Sequence, residues 1–315
     1  MKRYDSLQQH LLSHRLRGFD TRESTVLGLK NGLLAGACNA EFDVRMTRDG
    51  HPIAFHDPFF KADDGTWRYV DESDLAALRR QSALPSLATL EEMCGCFAEY
   101  RTPDALLHVD VKTSGQESVI YRTIAKFDLL AHVVLVSWLP EVLVRFHELS
   151  PQTRLCFSHL SMARHRWLYP IAEMLSPLVE RAAPAISWAL GGVKPQLARE
   201  TLAVRLQFHD NGDPAAEPEA GDETRLTPGH VVPDLLKGTM LELLRSTAGI
   251  ACVPLGLASR ELGKAYRAQN IQLAVYSVKD MPTLNRVMAE IDPDIVYVDN
   301  ADIIRAVASR QRTQG

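Results

Sequence analysis

The run Val133-Val134-Leu135-Val136-Ser137 has no polar alternation, and a helical stretch from Pro140 to Leu149 follows almost at once. A strand of that kind is buried on both faces, as in a parallel sheet covered by helices. The same strand–helix order recurs along the chain and limits the fold more than any other feature. Leu11 to His14 reads as a first strand. Thr25 to Ala35 reads as a helix with Val26, Leu29, Leu33 and Leu34 on one side and Gly36 as its stop. Ala40 to Val44 is a second strand, and Asp49-Gly50 predicts a tight turn that returns through Pro52 to His56 as a hairpin. Further strands are expected at Leu106–Val111, Arg154–Ser158, Ile250–Leu255, Leu273–Val278 and Ile295–Val298. Helices are expected over Pro85–Ala98, Gln116–Phe127, Ser259–Gln269 and Met281–Glu290. Leaving out the hairpin return, the main strands reach the number needed for a closed α/β TIM (β/α)8 barrel.

One region breaks the rhythm. Ser161 to Gly249 is too long for a simple connection and reads as an insertion between late barrel strands. It holds helix-like stretches at Leu168–Arg181 and Leu235–Ser246 and a strand-like run at Val204–His209. Asp210 to Glu223 is acidic, carries prolines and has no Lys or Arg, the composition of a flexible loop. The expectation is one barrel domain over residues 1–315 with this region inserted.

Composition narrows the function classes. The chain is 46% hydrophobic and 23% charged, enough apolar material for one large core. A net charge of −4 is not that of a nucleic-acid binder or a protein built for anionic membranes. No apolar run is long enough to span a bilayer, and Met1 to Arg15 lacks the pattern of a secretory leader, so a cytoplasmic location is expected. Five scattered cysteines argue against a disulfide framework, and Cys94-Gly-Cys96 reads as structural. The oligomeric state is left open.

Acids and histidines gather at strand ends, which in a barrel converge on one mouth. His14-Arg15 closes the first strand, Glu41-Phe42-Asp43 lies on the second, His56-Asp57 closes the hairpin return, and Asp110-Val111-Lys112 ends the next main strand. Glu41 and Asp43 are two apart and share a face, as do Asp110 and Lys112. Three carboxylates without a thiolate suit one hard divalent cation, Mg²⁺ or Ca²⁺. Arg15 and Lys112 suit phosphate oxygens. His14 and His56 can divide the proton work, one taking a proton and the other giving one. Trp138 at the end of the fourth strand is a candidate substrate contact or core residue, and Asp57 a supporting residue. His159, His165, His209 and His230 read as surface or loop residues.

These residues resemble the glycerophosphodiester phosphodiesterase family. Its signature runs His-Arg-Gly, Glu-Asn-Thr, Glu-x-Asp-Val, Thr-x-Asp-Gly and His-Asp. The matching residues are His14-Arg15, Glu23-Ser24-Thr25, Glu41-Phe42-Asp43-Val44, Thr47-Arg48-Asp49-Gly50 and His56-Asp57. Asp110-Val111-Lys112 corresponds to the family's Glu-x-Lys, Val275-Tyr276-Ser277-Val278 to its Trp-Thr-Val-Asn, and Asp294 to Asp299 to its last strand. The resemblance covers roughly residues 11–160 and 250–308. It implies a TIM barrel, Glu41, Asp43 and Asp110 as metal ligands, His14 and His56 as the acid/base pair, and Arg15 and Lys112 on the phosphate. Glu23 would support His14 or the metal's surroundings, and Tyr276 would stand for the family's Trp. Leu16 replaces the signature glycine, Ser24 the asparagine, and Asp110 the longer Glu.

The implied reaction is cleavage of a small-molecule glycerophosphodiester to an alcohol and a phosphomonoester. An Asp-x-Lys at this strand is also similar to sphingomyelinase D-type enzymes, which form a cyclic phosphate. A sugar-phosphodiester hydrolase, lyase or synthase is therefore the first alternative, and a barrel that binds phosphodiesters without turnover is the second.

Overall fold

The structure is a computed structural model that describes residues 6–84, 86–171, 174 and 231–312. Its centre is a closed parallel barrel of β1 (Leu11–Ser13), β2 (Asn39–Met46), β3 (Leu106–Val111), β4 (Val133–Ser137), β5 (Arg154–Ser158), β6 (Ile250–Pro254), β7 (Gln272–Val278) and β8 (Ile295–Val298). β1 pairs with β8 through Leu11 and Val296 and with β2 through Leu12 and Asn39, which closes the ring. Helices α1 (Val26–Ala35), α2 (Leu90–Tyr100), α3 (Glu117–Ala125), α4 (Pro140–Leu149), α5 (Gly238–Ser246), α6 (Arg260–Arg267), α7 (Met281–Glu290) and α8 (Ala301–Arg312) follow the strands.

Period-two alternation sorts each strand between two cores. Leu12, Val134, Val136, Cys156, Ile250, Cys252, Ala274, Ile295 and Tyr297 form one buried cluster, the barrel interior. Their neighbours, such as Leu11, Phe42, Val109, Leu135 and Phe157, join the larger cluster between strands and helices. On β2 and β3 this puts Glu41, Asp43, His108 and Asp110 on the opposite face from Phe42, Val44, Leu107 and Val109. Glu41 is opposite His108 in register, and Asp43 is opposite Asp110.

Several expected elements shift. The hairpin return ends at Ala54 rather than His56; beyond it the Phe55 N–H still donates to the Asp43 carbonyl (3.0 Å), and the His56 carbonyl accepts from the Arg45 side chain (2.6 Å). His14 does not end β1 but opens a 3-10 turn, His14–Leu16. The helix expected over Pro85–Ala98 runs from Leu90 to Tyr100, since Thr89 and Glu92 form a reciprocal capping box that fixes its start. Residues 58–84, unassigned from sequence, hold an antiparallel pair, Phe59–Lys61 with Trp67–Tyr69, and a short helix, Leu75–Arg79. They build a satellite core from Ile53, Phe60, Val70, Leu78 and neighbours.

Part of the region expected as an insertion is described. Leu160–Ser161 pairs in parallel with Val231–Val232, and α5 already packs on α4 and β5. The strand expected at Val204–His209, the acidic segment 210–223, His209, His230 and most of the helix expected over Leu168–Arg181 lie outside the described residues. Among the described residues no helix is long and apolar enough to cross a membrane. All five cysteines are free thiols, and burial pushes Cys94 up to about 12.

His159 corrects the sequence reading. Instead of lying at the surface it is 1% exposed, stacked on Phe157, with Nε2 2.9 Å from the Tyr266 hydroxyl. Burial pushes its pKa down to about 3, against about 6.5 for an unperturbed histidine. The folded chain therefore keeps His159 neutral while the unfolded chain protonates it. Stability from this group is complete above about pH 6.5 and falls by up to about 1.4 kcal/mol per pH unit as pH drops toward the folded value. In urea denaturation, His159→Gln should flatten the fall in stability between about pH 6 and pH 4. Identical slopes for the two proteins would show that His159 titrates alike in both states.

Candidate active site

The site begins with the backbone after β1. Arg15 and Leu16 both take left-handed conformations, with φ of 53° and 58°. This turns the chain so that the Arg15 N–H donates to Glu41 Oε2 (2.9 Å). A left-handed residue with a side chain costs about 1–2 kcal/mol, which explains a glycine at the position of Leu16 in the family signature. Here Leu16 is fully buried, and burial of a leucine contributes about 1.5–3 kcal/mol in return. Thr25 caps α1, its hydroxyl accepting from the Gly28 N–H (2.9 Å) and donating to Asp20 (2.6 Å). Thr47, Asp49 and Gly50 form the turn after β2, where Gly50 has φ 81° and the Thr47 hydroxyl donates to Asp49 (2.6 Å). Three of the five signature segments thus carry backbone geometry as well as sequence likeness.

Glu41, Asp43 and Asp110 converge. Each offers an oxygen within 4.8 Å of the others'. Glu41 and Asp43 are each 1% exposed. Lys112 bridges the two aspartates, with Nζ 2.9 Å from Asp43 Oδ1 and 2.5 Å from Asp110 Oδ2. Arg15 Nε lies 3.2 Å from Asp43 Oδ2. Burial, together with the charges of Asp43 and Asp110, raises Glu41 well above the usual carboxylate range. Burial also works against ionised Asp43, yet Lys112, His56 and Arg15 together hold it well below that range. Lys112 is raised: burial disfavours its charge, but Asp110 and Asp43 outweigh that.

Two buried carboxylate oxygens, Glu41 Oε1 and Asp110 Oδ1, accept no hydrogen bond, and Asp43 Oδ2 has only its ion pair with Arg15. An unsatisfied buried acceptor of this kind is costly. One hard cation among three oxygen donors would relieve it, so the donor set fits a divalent ion.

The two histidines are both held through Nδ1. His14 donates to Asp299 Oδ1 (2.7 Å), which leaves Nε2 3.9 Å from Glu41 Oε2. His56 donates to Asp57 Oδ1 (2.8 Å). The hydrogen bond from His56 lowers Asp57 despite partial burial. Asp299 also accepts from Arg17 (2.8 Å) and from the Ser277 hydroxyl (2.5 Å). Burial raises Asp299, but these bonds and the nearby positive charges bring it well below the ordinary carboxylate range.

Most residues singled out in the sequence therefore meet at one mouth, with differences. Arg15 and Lys112 engage the carboxylates directly rather than standing as free cations. Glu23 contacts neither His14 nor the acids; it pairs with Arg17 (2.8 Å) and Arg15 (3.5 Å). Trp138 packs against the outer core with Lys112 Nζ 4.9 Å from its ring centre. Tyr276 packs on the barrel interior, 6.4 Å from Tyr297 ring to ring, and burial pushes its hydroxyl pKa up. Asp299 and Arg17 were missed as site residues. The sequence signals for Asp299 were its place at the end of the last strand, where barrel side chains reach the mouth, and the resemblance of the Asp294 to Asp299 segment to the family's last strand, neither of which gave it a role.

Comparison with known proteins agrees with the fold. The glycerophosphoryl diester phosphodiesterase family model matches residues 12–203. That match runs further into the insertion than the resemblance read from motifs and stops before the last three strands. A glycerophosphodiester phosphodiesterase of Caldanaerobacter subterraneus subsp. tengcongensis is 21% identical over 145 residues, 41% of this chain. The chain spans 57% of the length of that curated relative. A glycerophosphodiester phosphodiesterase structure from Parabacteroides distasonis superposes with TM-score 0.59 at 13% identity, covering 96% of this chain and 98% of the other. A phosphodiesterase from Oleispira antarctica, in complex with the product sn-glycerol-3-phosphate, gives 0.60 at 15% identity over 95% and 96%. The structural likenesses establish the barrel. With its family model matched over more than half of the chain, this protein belongs to the glycerophosphoryl diester phosphodiesterase family.

Proposed function

We propose that the chain is a metal-dependent phosphodiesterase that hydrolyses a glycerophosphodiester-like small molecule to an alcohol and a phosphomonoester. One observation carries the reading: two histidines, each tied through Nδ1 to an aspartate, stand beside three carboxylates gathered within 4.8 Å. The whole chain acts as one barrel domain with its insertion, in the cytoplasm, where free cysteines are at home.

Glu41, Asp43 and Asp110 hold one divalent cation, Mg²⁺ or Ca²⁺, both of which prefer oxygen ligands. When bound, the ion supplies a positive charge that polarises a phosphoryl oxygen and offsets charge in the transition state. Arg15 and Lys112 add positive charge on the same side for the phosphate oxygens. Asp299 fixes the tautomer of His14 so that Nε2 faces Glu41, and Asp57 holds His56 through Nδ1, which leaves its Nε2 for proton transfer. One imidazole takes the proton of the attacking water and the other protonates the leaving alkoxide.

Three outcomes test the reading. Added Mg²⁺ or Ca²⁺ at about a hundred times its dissociation constant should raise unfolding stability by about 2.7 kcal/mol, and Glu41→Gln should abolish the gain. A cation-independent melting curve would remove the metal site. His14→Ala and His56→Ala should each lower kcat/KM on glycerophosphodiesters by about 10²- to 10⁴-fold while leaving circular dichroism intact. Undiminished turnover in either variant would refute the acid/base assignment. Phosphorus NMR should show a monoester as the end product; a lasting cyclic phosphate would move the enzyme to the lyase class.

Asp299→Asn should reduce kcat by on the order of 10²-fold or more with little change in KM, since it disturbs the orientation of His14 and not substrate binding. Ser277→Ala, which removes a different contact to Asp299, should cost much less. Equal losses would reduce Asp299 to a structural role.

A further inference from the structure

A cavity of about 420 Å³ opens beside His56, between the loop after β1 and the satellite core of residues 58–87. Its wall is mostly apolar: Phe55, Phe59, Trp67, Leu84 and Leu87, with His56 at one side. Trp67 and Phe59 meet edge to face with ring centres 5.2 Å apart, yet Trp67 stays 47% exposed. An exposed tryptophan lining a concave apolar surface, next to a polar reactive group, is the usual make-up of a ligand pocket.

The carboxylates around the cavity already face basic side chains. Glu23 pairs with Arg17 (2.8 Å), Asp57 with His56 (2.8 Å), and the Arg22 guanidinium donates to the Ala83 carbonyl. Lys61 is exposed. With both carboxylates facing basic groups, Arg22 and Lys61 add positive charge that disfavours a cationic head, and the apolar wall suits an uncharged group. Resting on the phosphodiesterase reading, we propose that this cavity binds one alcohol arm of the substrate and selects an uncharged, apolar alcohol over a small hydrophilic one. The diester would lie with its phosphate at the carboxylates and this arm past His56, between Trp67 and Phe59.

The test uses two glycerol phosphodiesters that differ only in the second alcohol, n-hexanol or ethylene glycol. The wild-type chain should favour the hexyl diester in kcat/KM by roughly tenfold or more, from apolar contact alone. Trp67→Ala, at an exposed position that should not disturb folding, should bring the ratio of the two toward one. Equal wild-type values, or equal falls on both substrates in the variant, would overturn the proposal. Binding is read separately by titrating n-hexyl phosphate against tryptophan fluorescence. A saturable change absent in Trp67→Ala is expected. Saturable binding without turnover of either diester would sustain the cavity while the phosphodiesterase reading falls. Cleavage without such binding would do the reverse.

Discussion

Three carboxylates crowd into a buried space at the barrel mouth, and the rest of the site is arranged to tolerate them. Like charges a few ångströms apart, away from water, repel strongly. The chain answers with Lys112 between the two aspartates and Arg15 beside Asp43. Three acids against two cations still leave one negative charge, and burial together with the neighbouring aspartates raises the Glu41 carboxyl. A divalent ion would change the local balance to one positive charge. A phosphodiester, which carries a single negative charge, would then bring it to neutrality. The charge pattern thus matches a substrate class without reference to any alcohol.

The barrel makes this crowding possible. Adjacent parallel strands put Asp43 directly opposite Asp110, while the alternate residues Phe42 and Val109 anchor the same strands in the apolar shell. The acids stand on strands fixed from the other side by core packing, so repulsion cannot simply spread them apart. That rigidity lets the orphaned oxygens persist until a ligand satisfies them.

Legibility in the sequence followed periodicity. β3, β4, β5, β8, α4 and α7 have the bounds read from hydrophobic pattern and helix signals, because continuous apolar runs and clear stops leave little choice. Residues 58–84 escaped because their strands are three residues long, too short to carry a period. The helix start at Leu90 was misread because Pro85 looked like an initiator while the cap lay at Thr89. His159 was misjudged because nothing local to it reveals burial; its ring is enclosed by Phe157 and by Tyr266, more than a hundred residues away. In the site, residues in compact motifs were found, Asp57 beside His56 among them, but the distant partner of His14 was given no role. Glu23 was recognised, but its pairing with Arg17 depends on how the loop after β1 folds back.

Asp299 shows why that boundary lies where it does. It is 285 residues from His14 in sequence and 2.7 Å from it in space. The contact exists only because β8 returns to pair with β1 and close the ring. Barrel closure therefore does more than complete the core: an aspartate just past the last strand holds a histidine just past the first. A motif read from the N-terminal half can name the histidine but not what holds it, and the family match, ending at residue 203, stops short of the same aspartate. The part of the site most dependent on the complete fold is thus the part least visible in any local stretch of sequence.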